Sequence, residues 1–378
     1  MTLTIDAMSV RVLAAPLRER VPMSFSALTA RRSVLVTVRS GGLAGTGESW
    51  VNYPEWGWRE RVATLDGLRP LVVGADASDP ARLMADLARR LHGVARQWGA
   101  PGPLWQALSG IDMACWDLLG QARERSIAEL LAGGPAAARS VPAYGSGVGP
   151  TGVAELTERA LELGLRAVKI KVGFGEETDL ATVRDVRAAA AGTDLEVFAD
   201  ANQAWDPATA RRMCALLAGH GVAWFEEPLA EDRYGELAEL AAGTGGPALA
   251  GGENVYGADA YRRRVASPAF AHIQPDPSKT AGISLSDAVG RMPGTARLSP
   301  HCYGGAPTLA ASAHLVAAAE RPGWVELDLR DNPLRTEIAA VPGLLDGGRL
   351  AVPGGPGLGL VYDPAALDHY TQAEESMC

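Results

Sequence analysis

From about Ser140 onward the chain repeats one unit: a short apolar run followed by an Ala-rich amphipathic stretch. The runs are Val141–Tyr144, Ala167–Val172, Leu195–Ala199, Val222–Phe225, Ala248–Ala250, Phe270–Gln274, Arg297–Ser299 and Val325–Leu327. Most of the intervening segments read as helices: Val153–Leu163, Glu177–Ala190, Pro207–Gly219, Tyr234–Ala242, Ala258–Val265, Leu285–Met292 and Ala306–Glu320. A helix between two strands returns the chain to the end it left, so such strands pair in parallel. Eight strands alternating with seven helices point to a closed barrel rather than an open sheet. The competing doubly wound topology lacks its mark here, because the first βα turn carries no GxGxxG.

The first third of the chain has another texture. Met8–Leu13 and Ser33–Arg39 read as strands joined by a polar connector, Pro16–Arg32, and a Gly-rich turn leads on to Glu48-Ser-Trp. Helical patterns follow at Ala81–Trp98 and Leu104–Arg123. Strands followed by helices describe an α+β unit, which we place at residues 1–134, with the barrel at 135–330. The Pro/Gly-rich tail, 331–378, is expected to pack back on the first unit.

Bulk properties narrow the function classes. A net charge of −9 without a run of basic residues leaves no footprint for nucleic acid or an anionic membrane surface. Cys115, Cys214, Cys302 and Cys378 show no metal-type spacing and read as reduced thiols. Met1 to Val12 lacks the basic start and long apolar run of a signal peptide, and no window reaches the roughly 18 apolar residues of a membrane span. The expected location is the cytoplasm, and the expected assembly a homo-oligomer.

The residues that end the apolar runs carry the chemistry. Lys169 and Lys171 come first, then Asp200, Glu226, Glu253, Asp276, His301 and Glu326. From Asp200 the successive steps are 26, 27, 23, 25 and 25 residues, about one βα unit each. Strand C-termini converge on one barrel mouth, so these side chains become neighbours. Asp200, Glu226 and Glu253, three adjacent carboxylates without Cys or His between them, call for a hard divalent cation such as Mg²⁺, with Mn²⁺ a substitute. Taken singly, each of these residues is more often a solvated loop side chain, a helix cap or an outward-facing lysine. Chance of that kind does not produce the ordered ladder.

The motifs Val168-Lys-Ile-Lys-Val-Gly, Asp200-Ala-Asn-Gln, Trp224-Phe-Glu-Glu-Pro, Gly251-Gly-Glu-Asn, Gln274-Pro-Asp, Ser299-Pro-His and Trp324-Val-Glu together resemble the enolase superfamily, in its mandelate racemase and muconate-lactonising branch. Ser109-Gly-Ile-Asp-Met-Ala-Cys-Trp-Asp is similar to the helix that closes the family's capping domain. The resemblance implies an α/β fold, a modified (β/α)7β TIM-like barrel under an α+β capping domain that the C-terminal tail completes. It implies Asp200, Glu226 and Glu253 as Mg²⁺ ligands. Lys171 then matches a base on one face of a small-molecule carboxylate substrate, with Lys169 as its electrostatic partner. His301, paired with Asp276, matches the base or acid on the opposite face, and Glu326 resembles the acid that hydrogen-bonds the substrate carboxylate.

A hydrogen α to a carboxylate is too weakly acidic for an amine or imidazole to remove unaided. A divalent cation, Lys169 and Glu326 together would stabilise the resulting enediolate. Beside Lys169 and a metal, Lys171 is expected to have a depressed pKa, and Asp276 to orient His301. The segment Glu326-Leu-Asp-Leu-Arg-Asp-Asn-Pro-Leu-Arg resembles sugar-acid lactone cycloisomerases of the branch, so β-elimination on a sugar acid or its lactone is the favoured outcome. Racemisation or epimerisation is the alternative. Substrate choice in the family lies with two loops, which match Pro16–Arg32 and Ser49–Arg59. Arg20, Arg31 and Arg32 are candidates for a second carboxylate, and Trp50, Tyr53, Trp56 and Trp58 for a roof over a ring. Ser146 and Asn202 are candidates for a substrate hydroxyl. A Schiff-base aldolase using Lys169 or Lys171 is a different enzyme class, which borohydride trapping would detect.

Overall fold

A computed structural model describes residues 2–136, 138–242, 248–280, 282–341, 343–345 and 347–375; Cys378 lies outside them. Three strands, β1 (Ala7–Pro22), β2 (Ala27–Ser40) and β3 (Leu43–Trp50), form an antiparallel sheet, which Thr371–Glu375 of the tail extends beyond β1. Met8, Val10 and Val12 share one face of the sheet with Val34, Val36 and Val38, and that face is apolar. Helices α1 (Gly57–Val72), α2 (Pro80–Trp98) and α3 (Pro101–Arg123) cover that face. Asp79 caps α2 by accepting from Arg82 N, and Gly99 ends it in the left-handed conformation. α3 is buried on nearly every side because β3 lies directly on its backbone. A Cβ at Gly45 or Gly47 would overlap Ala114 or Gly110.

After a short helix, α4 (Ile127–Ala132), the repeats begin. Their strands are β4 (Ser140–Val148), β5 (Ala167–Lys171), β6 (Glu196–Asp200), β7 (Val222–Glu226), β8 (Ala248–Gly251), β9 (Phe270–Ile273), β10 (Arg297–Leu298) and β11 (Val325–Asp328). Their helices are α5 (Val153–Glu162), α6 (Glu176–Ala189), α7 (Pro207–Gly219), α8 (Tyr234–Ala242), α9 (Ala258–Val265), α10 (Gly282–Gly290) and α11 (Ala306–Ala318). The strands pair in parallel from β4 to β10, and β11 pairs with β4 on its free side. A parallel bridge between Leu298 and Pro322 closes the remaining gap, so the ladder is a barrel. Its interior is plugged by Tyr144, Phe198 and Trp224, the last two stacked at 4.0 Å between centroids.

Two expectations need correcting. The connector Pro16–Arg32 is mostly strand: past a register shift between Pro16 and Val21, pairing resumes at Val21–Leu28 and Pro22–Ala27. Val21, Met23 and Leu28 bury against Tyr303 from the barrel, a contact that lies far away in sequence. Residues after Trp50 also contain an unanticipated helix, α1, whose pattern is blurred by Pro70 in its last turn.

Two acids register the sheet-and-helix unit on the barrel. Asp112 of α3 accepts from Ser284 N and Oγ near the start of α10. Glu48 of β3 accepts from Gly305 N at 2.8 Å and from the Thr308 hydroxyl at 2.6 Å, capping α11 just beyond His301.

Candidate active site at the barrel mouth

Strand register brings the ladder together. Lys171 pairs with Asp200 and Asp200 with Glu226, so three consecutive strand ends stand side by side. Lys169 and Lys171, two residues apart, share the inner face of β5. Lys169 Nζ donates to Glu226 at 2.7 and 2.8 Å and lies 2.9 Å from Glu326 Oε1. Lys171 Nζ donates to Asp200 Oδ2 at 2.5 Å and to Asn202 Oδ1 at 3.0 Å. Across the ring, His301 Nδ1 is 2.7 Å from Asp276 Oδ2, and its Nε2 is 2.6 Å from Glu253 Oε2. Asp276 is held by Ser278, whose N and Oγ both donate to Oδ1 at 2.7 Å.

These contacts set the protonation states. Burial alone would lower the Lys171 pKa, but Asp200 overcomes it and raises the value. In this arrangement an acid sits closer to the amine than its fellow lysine does. Burial likewise opposes the charge on His301, yet Glu253, Glu326 and Asp276 hold the imidazole well above its ordinary range. Burial works against Glu326 too, but Lys169 and His301 bring it down to about 2. Its two oxygens accept from the Ser146 hydroxyl and from Cys302 N at 3.0 Å. Glu226 is pushed up to about 8 by burial and by the neighbouring charges of Asp200, Glu326 and Glu253.

Among the described residues, no three carboxylate, imidazole or thiol groups stand at metal-ligating separation. The lysines lie between the acids and take their oxygens. The donor set nevertheless fits a hard divalent ion on charge and chemistry. Asp200, Glu226, Glu227, Glu253, Asp276 and Glu326 form one buried, linked group with only Lys169, Lys171, Lys279 and His301 as cations. With every acid ionised this group would carry a surplus of two negative charges, all on oxygen. The high values of Glu226 and Glu227 express the same surplus.

A cavity of about 320 Å³ opens over this floor, between the barrel mouth and the β1–β2 hairpin. Lys171, Asn202, Glu253, His301, Trp50 and Tyr53 all line it. Lys169, Asp200, Glu226, Asp276 and Glu326 are buried behind these, in the contacts given above. Several candidates lie off this wall. Ser146 is wholly buried beneath Glu326, and Arg31 is locked to Asp328 at 2.5 Å under the ring of Tyr303, 4.6 Å from its centroid. Trp56 is 64% exposed, and Trp58 packs on the helical core beside Arg59.

Sequence reasoning passed over Glu227, Gln203, Asn254 and Lys279, all on the cavity wall. Glu227 accepts from Gln203 Nε2 at 3.0 Å and from Asn254 Nδ2 at 2.9 Å, and Lys279 Nζ donates to Glu253 at 3.3 Å. Asn202, Gln203 and Glu227 have φ of 44°, 63° and 41°, left-handed conformations that non-glycine residues adopt at a cost. The available signal was position: Glu227 and Asn254 directly follow Glu226 and Glu253, and Gln203 closes the motif that Asp200 opens, whereas Lys279 lies beyond every motif singled out.

Residues 7–132 match the family described as "Mandelate racemase / muconate lactonizing enzyme, N-terminal domain", and residues 152–366 match "Enolase C-terminal domain-like". The chain belongs to the mandelate racemase/muconate lactonizing enzyme branch of the enolase superfamily. A D-galactarolactone cycloisomerase of Agrobacterium fabrum is 31% identical over 330 residues, covering 82% of this chain and 85% of that one. An arabinonate dehydratase of Saccharolobus solfataricus is 30% identical over 342 residues, 88% of each chain. The crystal structure of an enolase from Bradyrhizobium complexed with magnesium and mandelic acid superposes with a TM-score of 0.82 at 27% identity, covering 99% of both chains. This chain is thus an enolase-superfamily lyase or isomerase.

Proposed function

We propose that the site removes the proton α to a substrate carboxylate, forming an enediolate that goes on to lose a β-substituent from a sugar acid. One observation carries this reading: Lys171 and His301 face one cavity from strand ends five places apart in the ladder, with the three acids between them. Lys171 takes the α-proton on its side. His301, held cationic by Glu253 and Asp276, gives a proton to the departing hydroxyl or ring oxygen on the other. The C–H electron pair passes into the enediolate, and its return from the carboxylate oxygens forms the Cα=Cβ bond as the Cβ–O bond breaks. A hard divalent cation held by Asp200, Glu226 and Glu253, Mg²⁺ by the company of the Bradyrhizobium structure, would supply positive charge to the substrate carboxylate and take up the Asp200 charge that holds Lys171 protonated. Lys169 stays charged between Glu226 and Glu326 and adds to the positive field.

The amides of Asn202, Gln203 and Asn254 on the wall suit a polyhydroxylated acid, as do the substrates named for the two curated relatives. The two-sided arrangement also favours a second reading, in which His301 returns the proton to the α-carbon and the product is the epimer. Incubating the enzyme with sugar acids and lactones in D₂O decides between them. Loss of water or ring rearrangement is the expected result. An unchanged skeleton with deuterium at the α-carbon would establish epimerisation, and finding neither exchange nor a changed skeleton with any acid would overturn both.

A further inference from the structure

His301 stands at the start of a loop, residues 301–305, that runs from β10 to α11, so its aim depends on what fixes that loop. The sheet-and-helix unit grips it from the end of β3. Glu48 accepts from Gly305 N at 2.8 Å, from Thr308 N at 3.2 Å and from the Thr308 hydroxyl at 2.6 Å. These groups open α11, whose own N-cap, Gly305, has no side chain to serve them. Four residues after Glu48, Asn52 Nδ2 donates to Tyr303 O at 3.2 Å. Midway, Trp50 N donates to Ser278 O at 2.9 Å, and Ser278 in turn donates to the Asp276 carboxylate that meets His301 Nδ1. Glycine allows the close approach: a Cβ at Gly304 would come within 2.7 Å of the Thr308 hydroxyl and 3.1 Å of Glu48 Oε1. A buried carboxylate bonded in this way is a stiff anchor. Lys171 is held differently. Its ammonium donates to Asp200 and Asn202 at the end of β6, and among the described residues no hydrogen bond joins it to β3.

We propose that Glu48 is a positioning residue for His301: through Gly305 and Thr308 it fixes the loop that aims the imidazole, and it serves the His301 half of the reaction and not the Lys171 half. The inference rests on the proton-abstraction reading above, in which Lys171 forms the enediolate and His301 delivers the second proton. Glu48 is not among the residues lining the cavity, so it acts on the substrate only through the loop. Moving a proton-transfer group by about 1 Å costs on the order of 10²-fold in rate. Substrate binding, which Glu48 does not touch, should change little.

The test reads the two halves separately in the Mg²⁺-loaded enzyme, with aldonates, aldarates and their lactones in D₂O. Deuterium at the α-carbon of recovered substrate reports Lys171, and the rate of product formation reports His301. Glu48→Gln should lower kcat for product by about 10- to 100-fold, with KM and α-deuteration within about threefold of wild type. Thr308→Val removes one donor to Glu48 and should lower product formation by about three- to tenfold; Thr308→Ser, which keeps the hydroxyl, should restore it. Asp112→Asn is the control, because Asp112 ties the same two units together at Ser284, away from His301. Its ratio of product to exchange should stay at the wild-type value. Three results would overturn the positioning role and leave proton abstraction standing: product and exchange falling together in Glu48→Gln, an unchanged ratio in Thr308→Val that is folded by circular dichroism, or a ratio shifted as far by Asp112→Asn. Neither exchange nor product with any acid would sink both.

Discussion

The floor and the roof of the cavity are built on opposite principles. On the floor nearly every polar atom is spent: Lys169, Lys171, Lys279 and His301 each touch a carboxylate within 3.3 Å, and those carboxylates are themselves held by amides, hydroxyls and backbone N–H groups. On the roof the rings of Trp50 and Tyr53 keep free donors, and Phe25, at the hairpin turn, is 59% exposed. Low-dielectric burial makes the floor's electrostatics strong and its geometry fixed, which suits chemistry that must stabilise developing charge. The roof rests on few contacts and is free to differ with the substrate. In the proposed function the floor carries the reaction and the roof bears on what is admitted to it.

The largest effects should come from emptying the floor of its proton-transfer groups. Lys171→Met or His301→Asn should each lower turnover by roughly 10²–10⁴-fold or more, with metal binding by calorimetry largely kept. A near wild-type rate for either would dissolve the distinction between floor and roof. Chelation should come next: removing divalent ions should abolish activity, and adding Mg²⁺ should restore it. Activity indifferent to chelation would show that the surplus charge of the floor is met in another way.

A smaller effect belongs to the joint that keeps the two halves registered. His314 of α11 accepts from Ala128 N, lies 3.2 Å from Leu358 O, and is held neutral by burial, with its pKa brought down to about 4. Its folded value lies below the unfolded one, so the folded state binds fewer protons between pH 4 and 6.5 and stability falls as pH drops through that window. The loss reaches on the order of 3 kcal/mol at pH 4. His314→Gln should flatten the melting temperature between pH 6.5 and 4, and an unchanged slope would assign the acid sensitivity elsewhere. The smallest effect is expected at Trp56, which stays outside the cavity wall. Trp56→Ala should change stability by less than about 0.5 kcal/mol and leave kcat/KM unaltered. A large loss of activity would redraw the edge of the roof.

The difference between the halves also explains how legible each was. The barrel strands fall within a few residues of their sequence positions because each is a short apolar run set off by helical periodicity, and both signals are local. Lys171, Asp200, Glu226, Glu253 and His301 converge because barrel topology converts regular spacing into adjacency. The roof offers no such rule. The pairing of Val21 with Leu28 depends on burial against Tyr303, and nothing near Arg31 in the chain announces Asp328 as its partner.

By itself, then, the sequence determined the repeating βα architecture, the ring of acids and bases at its mouth and the class of chemistry that ring supports, because period and spacing are properties of neighbouring residues. Only the tertiary structure decided which groups are free. It drew Arg31 and Ser146 out of reach, gave Lys171 an acid instead of a bare cation as its nearest neighbour, and brought Glu227 and Lys279 to the wall. Those outcomes depend on distances between residues far apart in the chain, and on desolvation that exists only once the halves have closed over one another.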